Sequence, residues 1–296
     1  MTTRAIGVEI LPHGVRLVVV DRDGRVVARA ERRATDRGMP RAAKAAAQAL
    51  VEASVRDRLP ARACAHDPAG EAVREAVRAM AAIVRVEGDV AGAGTAAAIA
   101  ESWIGAARGA GNVVVLTIGE QISAGVLIGG APYTGTHGLA GSAAWLALNP
   151  VERQDYRRSG CLDAEVSSRG VARRLAWRIE AGDRSAALER AGGSLDAMTA
   201  DHVYDAARAG DGVAVSVVRD TAKYIGMAVA NFVVTLDPEV VVLCGEASRA
   251  VDLLRDPVRQ EAARRLPQPL AQALRLEFST LAEEAAAIGA ARLALP

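Results

Sequence analysis

GAARGAGNVVVLTIGEQISAGVLIGG, residues Gly105–Gly130, holds the end of a helix, two apolar strands and a glycine-bearing turn between them. A helical pattern runs over Thr95–Ala107 and stops at Gly109 and Gly111, because glycine supplies the left-handed backbone with which helices end. Asn112–Ile118 and Ala124–Ile128 are short apolar runs that read as strands opening a meander.

Upstream of this stretch, a first meander is legible. Ala5–Ile10 is apolar, Val15–Val20 is β-branched, and Arg25–Arg29 alternates after the turn Asp21-Arg22-Asp23-Gly24. Aspartate and glycine there supply the positive-φ positions of a tight hairpin. A helix over Arg41–Val55, a strand near Ala61–Ala65, a helix near Glu71–Ala82 and a strand at Ile83–Val86 follow. Downstream, Leu162–Ala181 reads as one long amphipathic helix carrying several arginines. Helical patterns then run to about Val234, interrupted at Gly192-Gly193 and Gly210-Asp211-Gly212. Val240–Cys244 is a buried-type strand, Ala250–Arg265 a helix, Leu274–Phe278 a strand and Ala282–Leu295 an alanine-rich closing helix. Two βββ-αβα halves are the simplest architecture for this order, an α/β class.

Hydrophobic residues make up 51% of the 296 and charged residues 24%, the balance of a globular chain. A net charge of +1 recommends neither nucleic acid nor membrane as a direct partner. Cys64, Cys161 and Cys244 form no CxxC pair, which suggests buried thiols in a reducing compartment. MTTRAIGVEI lacks the basic-then-apolar layout of a signal peptide, and no window approaches a membrane span, so a cytoplasmic location is expected.

Gly105–Gly130 matches, without a gap, the frame GAGRG-x-x-NVVYLTLGTGIGGGIVING of the ROK family of bacterial sugar kinases and sugar-responsive repressors, and the chain resembles that family. Tyr133–Gly141 (YTGTHGLAG) follows in register. Gly160–Asp163 (GCLD) resembles the family's GCLE, and Thr199–Asp211, Leu236–Leu254 and Leu281–Ala291 resemble later segments. The resemblance implies a two-domain actin-like ATPase (ribonuclease H-like) fold. Its smaller domain would span residues 1–110, with the closing helix 282–296 packing back onto it, and its larger domain residues 111–281. It also implies a homodimer held by the larger domain, for which the apolar faces of Leu162–Ala181 and Thr199–Asp211 are the candidates.

At the sites that the resemblance marks for chemistry, this chain departs from the pattern. The phosphate loop after strand one, DIGGTK in the family, reads EILPHG over Glu9–Gly14. Pro12 removes an N–H donor and no cation remains, so an ordinary hairpin turn is expected. The second phosphate loop, GTGIGGG, is Gly119-Glu120-Gln121-Ile122-Ser123-Ala124-Gly125. It puts a carboxylate where a phosphate-contacting threonine is implied. The catalytic aspartate lies in VENDANAAALAE, here VEGDVAGAGTAAAIAE over Val86–Glu101. Anchoring on AAAIAE places Ala93 at that position. Anchoring on VEGDV places Asp89 there with four residues inserted after it, close to one helical turn; a capping or loop role is the plainer alternative.

For sugar and zinc, the family's E-x-G-H becomes Ser142-Ala143-Ala144-Trp145, and its C-x-C-G-x-x-G-C cluster keeps only Cys161, with Gln154 and Tyr156 near two other positions. One thiol cannot make a tetrahedral zinc site, so no zinc is expected. His137 is a candidate substrate ligand and His66 a second candidate ligand, against the plainer reading of hydrogen-bonded structure. Cys244-Gly245-Glu246 stands where the family has GGG beside the adenosine, leaving Gly119, Gly245 and Glu246 as candidate nucleotide-side residues.

The leading expectation is a catalytically silent ROK-fold protein that acts by binding, as a regulator, a subunit of a partner protein or a ligand sensor, with no cofactor. The alternative is a divergent ATP- and magnesium-dependent hexose or amino-sugar kinase using Asp89. The third reading is a remnant of a ROK repressor that makes no DNA contact of its own, since strand one begins near residue 5 with no helix-turn-helix before it.

Overall fold

A computed structural model describes residues 3–34, 38–54, 59–81 and 83–296. The chain divides into two compact units. One comprises Met1–Val115, Ala124–Gly141 and Ser279–Pro296, the other Leu116–Ser123 and Ser142–Phe278.

The first unit opens with β1 (Arg4–Leu11), β2 (Gly14–Asp21) and β3 (Val26–Arg33), an antiparallel meander. The β2–β3 turn is the expected one: Gly24 has φ +83°, and Asp21 Oδ1 accepts the N–H groups of Asp23 and Arg25 at 3.0 and 2.9 Å. Helix α1 (Met39–Ser54), β4 (Pro60–Ala65), α2 (Glu71–Met80), β5 (Arg85–Val86), β6 (Ala91–Gly92) and α3 (Ala93–Trp103) follow. Val55 and Ala82, where the sequence pattern ended α1 and α2, lie outside the described residues.

The sheet order is β3-β2-β1-β4-β5, with β6 beside β4. Because β4 runs parallel to β1, and β5 to β4, helices must carry the crossovers. Ile6, Val8 and Ile10 of β1 and Val15, Leu17 and Val19 of β2 share a core with α1 and α2. The opposite face of β1 meets the closing helix α12 (Ala285–Ala294), where only small residues fit. A Cβ on Gly7 would stand 1.8 Å from the Ala287 carbonyl, and one on Gly289 would stand 1.7 Å from that of Ala96.

Strands β7 (Val113–Ile118) and β8 (Ile122–Ile128) each run from one unit into the other, and β9 (Ala131–Pro132) ends this meander. With β10 (Val240–Cys244) and β11 (Leu276–Phe278) the order is β11-β10-β7-β8-β9, the same succession as in the first sheet. The two βββ-αβα halves expected from the sequence are thus both present.

The second unit's helices are α4 (Tyr156–Ser159), α5 (Cys161–Val166), α6 (Ser168–Glu180), α7 (Ala186–Arg190), α8 (Ala200–Arg208), α9 (Gly212–Leu236), α10 (Val251–Ala263) and α11 (Gln268–Ala273). The single helix expected over Leu162–Ala181 is broken at Ser167. That residue turns extended (ψ 157°), and its hydroxyl accepts the Gly170 N–H at 3.1 Å, the backbone-competing bond that makes serine an N-cap. The apolar faces assigned above to a dimer are covered within the unit: Val171, Ala172 and Leu175 of α6 and Val203, Ala206 and Ala207 of α8 are buried. No helix among the described residues is long and apolar enough to cross a membrane.

Candidate functional site

In the first unit the segment Glu9–Gly14 is an ordinary hairpin. Leu11 pairs with Gly14, and Pro12 and His13 make the turn. Glu9 has become part of an ionic ladder instead. It pairs across β1–β2 with Arg16, which pairs across β2–β3 with Glu31. The Arg16 guanidinium lies 3.3 Å from Glu9, 3.1 Å from Glu31 and 3.4 Å from Glu283, and it donates to the Glu283 carbonyl at 2.6 Å. Burial pushes the Glu9 carboxyl up to about 7, because one arginine shared among three carboxylates does not offset desolvation.

Helix α3 begins at Ala93, with Gly92 as its N-cap. Ala93 is therefore buried at the head of the helix, and Asp89 is exposed on the loop between β5 and β6, neither capping α3 nor at its start. His137 is exposed in the turn Gly135–Gly138. Burial pushes His66 down to about 4, which keeps it neutral. The frame residue Gly105 is explained by packing: the buried Glu101 carboxylate folds over it, a Cβ there would stand 2.0 Å from Oε2, and the same carboxylate holds the Ala106 N–H at 2.8 Å. That capture ends α3 at Trp103, short of the Ala107 expected from sequence.

In the second unit the structure does bring Gly119, Gly245 and Glu246 together. Gly245 has φ +82°, and a Cβ on it would lie 2.7 Å from the Ile118 carbonyl. Ser168, the first residue of α6, donates its N–H to the Gly119 carbonyl at 2.9 Å and its hydroxyl to Glu246 Oε2 at 2.5 Å. Arg249 Nη2 lies 3.3 Å from the same oxygen. A Cβ on Gly119 would be 3.2 Å from Glu246 Oε1. The Glu246 carboxylate thus fills the space against the Gly119 backbone, favoured there by the positive end of α6. Glu120, by contrast, is exposed, so solvent screens its charge. Ser168 and Arg249 were not singled out in the sequence, since they lie far from Glu246 or carry no motif.

The four positions that the resemblance assigns to zinc do not fit it. Gly160, at φ +93°, packs on the Ala144 carbonyl and the Trp145 backbone nitrogen, so the residue just before Cys161 lies against the backbone of Trp145. Their side chains diverge: Trp145 is 58% exposed, Gln154 is exposed, Tyr156 is turned into the protein, and Cys161 is a buried free thiol. Among the described residues no group of three His, Cys, Asp or Glu side chains is disposed to hold a metal ion.

The doubled βββ-αβα topology is that of the actin-like ATPase fold. Residues 73–296 match the ROK family model, and the chain belongs to the ROK family. It is 33% identical over 196 residues to a glucokinase of Halalkalibacterium halodurans, an alignment covering 65% of this chain and 59% of that one. A ROK family glucokinase from Streptomyces griseus, solved with glucose and AMPPNP, superposes with a TM-score of 0.83 at 25% identity, covering 98% of this chain and 99% of that one. A ROK family transcriptional regulator, a homologue of the E. coli MLC protein, shares the fold with a TM-score of 0.79 at 20% identity, covering 98% of this chain and 77% of its own.

Proposed function

We propose that this ROK protein acts by binding, as a regulator, a subunit of a partner protein or a ligand sensor in the cytoplasm, and does not transfer phosphate. The observation that carries the reading is the Glu246 carboxylate seated against Gly119 and Ser168. A polyphosphate brought to that backbone would meet a like charge, which Arg249 offsets in part; two bare unit charges ~4 Å apart repel by about 4 kcal/mol at an effective dielectric of ~20. Titration calorimetry with ATP and with ADP, in magnesium, is the direct test. No saturable heat is expected up to millimolar nucleotide; a micromolar Kd would overturn the reading.

The relatives named glucokinase favour a second reading, a divergent ATP-dependent hexose or amino-sugar kinase built on Asp89. Such an enzyme would need ATP and magnesium, and nucleotide binding is the property on which the two readings part.

Assembly into a homodimer belongs to the first reading, with no direct contact to nucleic acid or membrane. Since α6 and α8 bury their apolar faces, the surface has to come from side chains left exposed on the second unit, such as Trp145, Val151 and Val234. Light scattering at low micromolar concentration should give about twice the 30.7 kDa chain mass. A monomer mass would refute the dimer.

A further inference from the structure

We infer that a buried carboxylate, Glu165, does in this chain the cross-linking that the resemblance assigns to zinc, so that the segment Asn149–Gly160 is locked in place without metal. Glu165, on α5, is 2% exposed, and a carboxyl group that deep is costly unless it is hydrogen-bonded or paired. It is paired from two sides. Arg153 Nη1 donates to Oε1 at 2.9 Å, and the Tyr156 hydroxyl donates to the same oxygen. Arg174 of α6 approaches Oε2 at 3.7 Å from the helix side. Burial, reinforced by the bond to Glu165, raises the Tyr156 phenol above its ordinary range, so it remains a donor.

Around this centre the connections run outward to the helices. Arg174 also donates to Thr221 and to the Val217 carbonyl of α9. Asn149 donates to the hydroxyls of Tyr156 and of Tyr224 on α9, both at 3.2 Å. Asp155 joins Arg153 to Arg173 of α6 at 2.6 and 3.0 Å. The Trp177 ring receives the Arg153 and Arg173 guanidinium groups at 5.1 and 4.9 Å from its centroid.

A four-ligand zinc site would tie the backbone near Trp145, residues 154–156 and Cys161 to one point. The carboxylate network ties the same segment to α5, α6 and α9 through charged and phenolic donors. Tyr156, at one of the metal-ligand positions, serves as a donor to Glu165. The assignment is independent of whether the protein phosphorylates any sugar.

The test uses the full-length protein. Elemental analysis is expected to find far less than one zinc per chain, and melting is expected to be unchanged by a strong chelator. Glu165→Gln should lower Tm by about 10 °C. It should also speed tryptic cleavage at the exposed Arg157–Arg158 pair at least tenfold and shift the Trp177-dependent emission. If Glu165→Gln does not fold, Tyr156→Phe decides, because it removes one donor and keeps the ring; faster cleavage at Arg157–Arg158 is again expected. Stoichiometric zinc surviving dialysis, a chelator-induced drop in Tm, or wild-type cleavage rates in the folded variants would each overturn the assignment.

Discussion

Incubated with ATP, magnesium and a panel of hexoses and amino sugars, the protein is expected to produce no ADP above background in a coupled assay. A positioned general base alone contributes ~10²–10⁴-fold to such a transfer. Here the head of α3 presents the methyl group of Ala93, and Asp89 is exposed on the loop before it. The carboxylate implied for the sugar hydroxyls is replaced by Ser142, and Glu246 lies against the Gly119 backbone. With these losses combined, turnover should fall far below the 1–10³ s⁻¹ typical of enzymes. Asp89→Asn should leave the background unchanged. Saturable, sugar-dependent ADP release that disappears in Asp89→Asn would establish the kinase reading in place of the binding one.

At a pH above the value of about 7 at which Glu9 ionises, Arg16→Met is expected to cost about 3–5 kcal/mol in urea unfolding, the range for removing one partner of a buried ion pair. It leaves Glu9 buried beside Glu31 and Glu283 with no cation to share. Glu9→Gln in the same background should recover part of the loss, because the two side chains touch and their effects are not additive.

The pH dependence has a definite sign. Folded Glu9 holds its proton up to about 7, against 4.5 for an unperturbed glutamate. Between these values the folded state binds more protons than the unfolded one, so Glu9's share of stability falls as pH rises through that window. A difference of that size corresponds to roughly 3 kcal/mol. Wild-type Tm should therefore decline more steeply between pH 5 and pH 7.5 (roughly that window) than Tm of Glu9→Gln. A wild-type curve no steeper than the variant's would mean that Arg16 keeps Glu9 ionised.

Parts of this arrangement are legible in the sequence alone. Val240–Cys244 was bounded to the residue, because an apolar β-branched run ending at a glycine has few other uses. The β2–β3 turn was legible from aspartate and glycine chemistry. The Glu9–Arg16–Glu31 ladder could also have been found: once Leu11 and Gly14 flank a two-residue turn, strand pairing puts Glu9 opposite Arg16. The break at Ser167 was not legible, since both flanks favour helix. It depends on a hydroxyl choosing a backbone N–H, and on Ser168 meeting Gly119 from far away in the chain. The choice between Asp89 and Ala93 was open for a similar reason, because spacing could not say where α3 begins.

Element order, the βββ-αβα doubling and the ROK resemblance follow from local patterns of apolar, β-branched and glycine residues, which act over a few neighbours. So does the loss of residue types: no fold can supply a thiolate from Tyr156. What the side chains do instead was settled only in three dimensions. Glu246 reaches a serine 78 positions away, and Glu165 gathers donors from the segment before α5 and from α6. A charge placed in a low-dielectric interior must find partners wherever packing brings them, and packing is a property of the folded chain rather than of its neighbours in sequence.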